Sequence, residues 1–242
     1  MLNKIKTGIS GLDAMLYGGI PEGNQVVVAG GPGAGKTLLS FEFLYRNAKM
    51  GEPGVFFVLG EDPERVIENA VSAFPEFTEI DALIKSKKLV IEGTGTYKKL
   101  HNSDSTTYEL GSVFSDLQNI ITNAKATRLV IDSVSLLNIL LHDQIAYRGA
   151  MLDLITTLRK LNVTSFLTVE VETPERSKLA FKPEFFIFDG IVIMYQTGEE
   201  EKRSLAMEVI KMRGTKHSLV TTPYEITSAG FKVFSAEDAG LY

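Results

Sequence analysis

A chain of 242 residues, 44% of them hydrophobic, has enough apolar content for one large core or two small ones. It has no cysteine, which excludes disulfides, thiolate metal sites and a cysteine nucleophile and suits a reducing compartment. Its formal net charge of −5 argues against a passive, charge-driven nucleic-acid binder, which would be basic. The opening Met1-Leu2-Asn3-Lys4-Ile5-Lys6 has no apolar core of signal-peptide length. The most apolar stretch, 129–141, is interrupted by Asp132, Ser133, Ser135 and Asn138 and does not read as a membrane span. The expected location is the cytoplasm.

In chain order, an apolar strand pattern at 26–29 runs directly into Gly30-Gly31-Pro32-Gly33-Ala34-Gly35-Lys36-Thr37, and a helix pattern follows over 38–49. G-x-x-x-x-G-K-T between a strand and a helix is a phosphate-binding loop. Glycines let successive backbone N–H groups curl around a polyphosphate, and the helix start adds partial positive charge. Gly31, Pro32, Gly33, Ala34, Gly35, Lys36, Thr37 and Leu38 are the nucleotide-binding candidates. Lys36 is expected to reach the β- and γ-phosphates of ATP, and the Thr37 hydroxyl to hold Mg²⁺.

The next strand pattern, 55–59, ends at Gly60-Glu61-Asp62-Pro63, with a helix pattern over 64–73. A carboxylate here is placed to polarise an attacking water, and Glu61 is the candidate. A plainer reading makes this a helix start, with Asp62 as cap, Pro63 at the first helical position and Glu64 in the first turn. The two are compatible if Asp62 caps and Glu61 faces the phosphate. A strand pattern at 88–91 precedes a polar segment, 93–107, which reads as a long loop. A helix pattern at 108–124 leads to a strand pattern at 128–131 that ends in Asp132. That is the Walker B arrangement, in which the carboxylate holds Mg²⁺. Helix 146–161 and strand 164–168 complete the alternation.

Alternating strands and helices predict an α/β fold, a mainly parallel sheet flanked by helices. The strand-like runs 185–195, 204–213, 224–226 and 231–234 have no helix between them and predict antiparallel strands at the C-terminal edge.

Thr7-Gly8-Ile9-Ser10-Gly11-Leu12-Asp13, Gly18-Gly19-Ile20-Pro21-Glu22-Gly23 and the phosphate loop resemble the opening of KaiC-type ATPase domains of the RecA/RadA superfamily. Asp132-Ser133-Val134, Lys211-Met212-Arg213-Gly214-Thr215-Lys216-His217 and Pro223-Tyr224-Glu225-Ile226-Thr227 with Gly230 extend the resemblance over residues 4–235. It implies one KaiC/RecA-like ATPase domain over 1–242, a P-loop RecA-like core, and a hexameric ring with ATP or ADP between subunits. Lys211 and Arg213 would then enter the neighbour's site and contact its γ-phosphate. In the run Arg203, Leu205, Met207, Val209, Lys211, Arg213, alternation puts the two cations on one strand face. The alternative is two solvated charges at a strand end. By resemblance, Met212, Thr215, His217 and Thr227 lie near base or ribose, and Ser72 approaches them.

Three departures qualify what the resemblance implies. Relatives commonly carry paired glutamates where this chain has Gly60-Glu61. The clock proteins have two such domains in tandem and this sequence has one, so no rhythm-keeping role carries over. The Ser-Thr autophosphorylation pair has no evident match, so autokinase activity is not expected.

His101, His142 and His217 are scattered without metal-ligand spacing, and no G-x-S-x-G elbow supports a serine hydrolase. Tyr97-Lys98-Lys99-Leu100-His101 mixes aromatic and basic residues as a single-strand binder does, but reads first as a solvated loop. Arg176, Lys178 and Lys182 raise the same question, with Glu170, Glu172 and Glu175 diluting their charge. The leading expectation is a ring ATPase acting as a regulatory or signalling switch, with the Tyr97 and Arg176 loops responding to nucleotide state. The alternatives are a recombinase paralogue binding single-stranded DNA and a weakly hydrolysing, nucleotide-sensing scaffold.

Overall fold

The computed structural model describes residues 2–93, 106–141, 143–171, 183–197 and 204–234. The central strand β3 (Gln25–Gly30) is buried throughout. Its Val26 and Val28 face one apolar layer, while Val27 and Ala29 face another. A strand apolar on both faces needs helices on both faces. On one side lie α1 (Ser10–Met15), α2 (Lys36–Lys49), α3 (Pro63–Ala73) and α4 (Ile80–Lys85). On the other lie α5 (Thr106–Ala124), α6 (Ser135–Leu141) and α7 (Gln144–Lys160). Phe43 of α2 stacks on Phe166 of β7 (Thr164–Glu170), with ring centroids 4.4 Å apart. That contact fixes the helix behind the phosphate loop.

β3 lies between β7 and β8 (Gly190–Thr197), parallel to both. Beyond β7 come β6 (Arg128–Asp132), β4 (Gly54–Val58) and the edge strand β5 (Leu89–Gly93), all parallel. Beyond β8 the sheet turns antiparallel through β9 (Ser204–Met212), β10 (Thr222–Thr227) and β11 (Gly230–Val233). A separate two-stranded ribbon joins β1 (Lys4–Ile5) to β2 (Ile20–Pro21). This is the expected α/β architecture, a large parallel sheet with an antiparallel C-terminal edge. Among the described residues, no helix is long and apolar enough to cross a membrane.

Local details differ from the sequence reading. The run 185–195 is not one strand, because a 3-10 turn at Pro183–Phe186 precedes β8. Phe185 and Phe188 serve there as buried wedges in the α5–α7 layer, and that apolar content imitated a strand. Helix α5 begins at Thr106, inside the expected loop. The short helices α1, α4 and α6 carry too few turns to show a period. The alternation along β9 is broken by a bulge between the Val192–Val209 and Ile191–Lys211 pairs. Met207 and Val209 pack in the α2 layer, but so does Met212. Lys211 therefore does not share a face with Val209, as uninterrupted alternation required. Arg203 lies outside the described residues.

Candidate nucleotide site

The loop after β3 passes through the left-handed region at Gly33 (φ 75°) and Gly35 (φ 87°). A Cβ on Gly35 would stand 2.8 Å from Ile226 Cδ1 and 3.1 Å from Phe231 Cζ, so conformation and packing both demand glycine. Gly35 occupies the cap position of α2 and offers no side chain, which leaves the first-turn N–H groups open to an anion. Lys36 Nζ donates to the carbonyls of Gly30 (2.9 Å) and Gly31 (3.1 Å). Burial pulls the Lys36 pKa below its ordinary value, against the raising influence of Glu170 and Asp132.

The Thr37 hydroxyl donates to Asp132 Oδ2 at 2.6 Å, and the Thr168 hydroxyl donates to Oδ1. Strand order explains the meeting. β7 separates β3 from β6, so its Thr168 bridges toward the carboxylate that ends β6. A threonine hydroxyl and a carboxylate beside a phosphate loop are hard oxygen donors, and they fit Mg²⁺. Phosphate loop, strand-end carboxylate and mainly parallel sheet together define a P-loop protein of the RecA type.

Glu61 is exposed on the turn after β4, two residues past Leu59, whose N–H donates to the Asp132 carbonyl at 2.6 Å. Gly60, between them, has φ 95°. Asp62 stands at the cap position of α3 with Pro63 at the first helical position, but its side chain makes no capping bond. Its backbone carbonyl accepts from the N–H groups of Arg65 (3.1 Å) and Val66 (3.4 Å) instead. The expected side-chain cap is thus replaced by the main chain.

Lys211 and Arg213 lie at the other end of the sheet. Lys211 pairs with Ile191 near the start of β8, and Arg213 N–H donates to the Asp189 carbonyl at 2.8 Å. Asp189 in turn bonds the first residue of β3: its Oδ2 accepts from Gln25 N–H at 3.1 Å. The phosphate loop leaves the last residue of β3. At about 3.3 Å per strand residue, roughly 17 Å separates the two ends. Lys211 Nζ donates to the carbonyls of Phe186 (3.3 Å) and Phe188 (2.6 Å). Arg213 donates to Asp189 Oδ1 (3.3 Å) and the Phe186 carbonyl (3.2 Å). Burial first, then the Arg213 charge, lowers the Lys211 pKa.

The remaining candidates divide between these ends. Met212 is buried against Gly190. Thr215 and His217 follow β9 at the foot, where the Thr215 hydroxyl donates to the Lys216 carbonyl and His217 Nδ1 meets the Ser218 carbonyl at 2.9 Å. Thr227, beside Ile226 at the phosphate end, donates to the Gly230 carbonyl and closes the β10–β11 turn. Ser72 is exposed on α3. Residues 97–101, Arg176, Lys178, Lys182 and His142 lie outside the described residues.

Three further residues hold this arrangement: Thr168 and Asp189, which no sequence pattern singled out, and Glu170, which the sequence offered only as a diluting charge. Thr168 fixes Asp132. Asp189 gathers Gln25, Arg213 and Arg159, whose Nη2 donates at 2.7 Å. Glu170 ends β7 opposite Gly30 and lines, with Pro32, Ser135 and Asn138, a cleft of about 320 Å³ beside the loop. No local pattern marks a strand-end threonine or a carboxylate between strands.

The chain belongs to the KaiC-type ATPase family: the family model "ATPase: KaiC" matches residues 5–238. It is 36% identical to the UPF0273 protein PH0284 of Pyrococcus horikoshii, over 97% of this chain and 95% of that protein. A UPF0273 protein of Thermotoga maritima is 35% identical over 98% of both. The circadian clock oscillator protein KaiC of a Nostoc species is 32% identical over 96% of this chain but only 44% of its own length. The crystal structure of the KaiC-like protein PH0186 from Pyrococcus horikoshii superposes with a TM-score of 0.80 at 28% identity, covering 97% of this chain and 100% of that one.

Proposed function

We propose that this chain is one KaiC/RecA-like ATPase unit over 1–242, binding and hydrolysing ATP with Mg²⁺ in the cytoplasm. Copies assemble into a hexameric ring that serves as a nucleotide-dependent switch. The observation that carries this reading is the separation of its two half-sites. One copy cannot bring Lys211 and Arg213 to its own phosphate loop across the height of the sheet, whereas the foot of one copy can meet the phosphate end of the next. Such head-to-tail contacts close into rings when the rotation allows.

In this reading the amides of 31–38 and Lys36 hold the phosphates. Thr37 and Asp132 hold Mg²⁺, which when bound offsets charge on the phosphate oxygens. Glu61 takes the proton of the attacking water. Lys211 and Arg213 leave their Phe186, Phe188 and Asp189 partners to stabilise charge on the neighbour's transferring phosphoryl group. Thr215, His217, Thr227, Ser72 and the Met212 backbone approach base and ribose.

A second reading, a scaffold that binds ATP and scarcely hydrolyses it, is favoured by Gly60. Its φ of 95° is a backbone that a glutamate takes only under strain, so the turn is built around a lone Glu61. The recombinase reading draws nothing from the described residues.

The test is ATP turnover with and without single-stranded DNA, beside a native mass measurement. The expected result is turnover indifferent to DNA and a nucleotide-stabilised mass of six chains. Absence of nucleotide binding would sink the proposal. DNA-stimulated turnover would favour the recombinase, and tight binding with negligible turnover the scaffold.

A further inference from the structure

Tyr224 of β10 stands outside the nucleotide candidates, yet its hydroxyl donates to the Ala34 carbonyl in the middle of the phosphate loop at 2.5 Å. The side chain is 2% exposed, and its ring lies tilted on Phe231 with centroids 5.5 Å apart. The same hairpin is tied to α2, the helix that the loop opens. Phe231 N–H donates to Glu42 Oε2 at 2.6 Å, and the Arg46 guanidinium donates to the Ala229 carbonyl at 2.6 Å. Loop and helix are thus held to one rigid edge at separate points.

A trans peptide directs its C=O and N–H oppositely. The Ala34 carbonyl aims at Tyr224, so the Gly35 N–H aims the opposite way, away from the Tyr224 hydroxyl. If this peptide rotated, a carbonyl dipole would face an incoming anion in place of a donor. We propose that Tyr224 is a positioning residue for nucleotide binding: its hydroxyl locks the Ala34–Gly35 peptide so that the Gly35 N–H faces the phosphates. This rests on the nucleotide reading of the loop. Burial raises the Tyr224 pKa, so the hydroxyl stays a donor across the neutral range.

The test uses Tyr224→Phe in the full chain, which keeps the ring and removes only the hydroxyl. Affinities for ATP, ADP and adenosine are measured by displacement of a fluorescent ADP analogue. The Gly35 amide is followed by ¹⁵N NMR without nucleotide. ATP and ADP should each bind about 3–10-fold more weakly, the scale of one neutral hydrogen bond, with adenosine unchanged. The Gly35 amide should shift and exchange faster. Unchanged ATP and ADP affinity, equal weakening of adenosine, or an unmoved Gly35 signal would each overturn the inference while leaving the nucleotide reading intact. If the unmodified chain binds neither ATP nor ADP, the nucleotide reading falls and this inference falls with it.

Discussion

Lys36 supplies charge rather than packing: its ammonium rests on the Gly30 and Gly31 carbonyls at the loop mouth. Lys36→Ala should therefore abolish stable ATP binding and leave the fold intact. Calorimetry checks the first part and circular dichroism the second; wild-type affinity in the mutant would refute the site. Glu61 is a different case, since it is exposed on the turn before α3. Glu61→Gln preserves shape and removes the base. Binding should persist while turnover falls by about 10²–10⁴-fold, the scale of general acid–base help. A turnover change of less than about twofold would reduce Glu61 to a turn residue.

Elements set where these residues stand. The β4–α3 turn runs through Gly60 at φ 95°. Supplying the first glutamate of the pair by Gly60→Glu should cost about 1–3 kcal/mol, the penalty of a side chain in a sparsely populated backbone region, without raising turnover. Urea unfolding measures the cost; a faster enzyme of unchanged stability would contradict it. Helix α2 is seated by Phe43 on Phe166. Phe43→Ala should destabilise the protein by about 3–5 kcal/mol, read from the same unfolding curves, because a buried ring leaves a cavity that the sheet cannot collapse to fill.

At the scale of the whole molecule, the two ends of the sheet make the sharpest demand. A cation supplied by a neighbour to a transferring phosphoryl group is worth about 10³–10⁵ in rate. Arg213→Ala should lose most ATPase activity and far less ATP affinity. Lys36→Ala copies retain Arg213, and Arg213→Ala copies retain an intact phosphate loop. Mixing the two inactive variants under conditions that allow exchange should restore part of the activity, since some intact loops then face an intact arginine. Exchange without recovery would place Arg213 within its own chain's chemistry or outside catalysis.

What the sequence determined by itself was local. Eight consecutive residues between a strand and a helix define the phosphate loop, because the amides, the lysine and the threonine act within two turns of chain. Periodicity gave the parallel strands and long helices for the same reason, since a strand buried on both faces must be apolar at every position. The partnerships were decided only by the tertiary structure. Thr37 meets Asp132 across 95 residues, and Tyr224 reaches Ala34 across 190. Both depend on strand order, which fixes who stands beside whom and leaves no trace in local pattern. The bulge in β9 and the turn before β8 were hidden likewise, because buried Phe185 and Phe188 look like strand residues until their packing is known. The placement of Lys211 and Arg213 at the foot of the sheet, opposite their own phosphate loop, follows from the antiparallel return of β9. Spacing along a single strand carries no information about which end of the sheet that strand reaches.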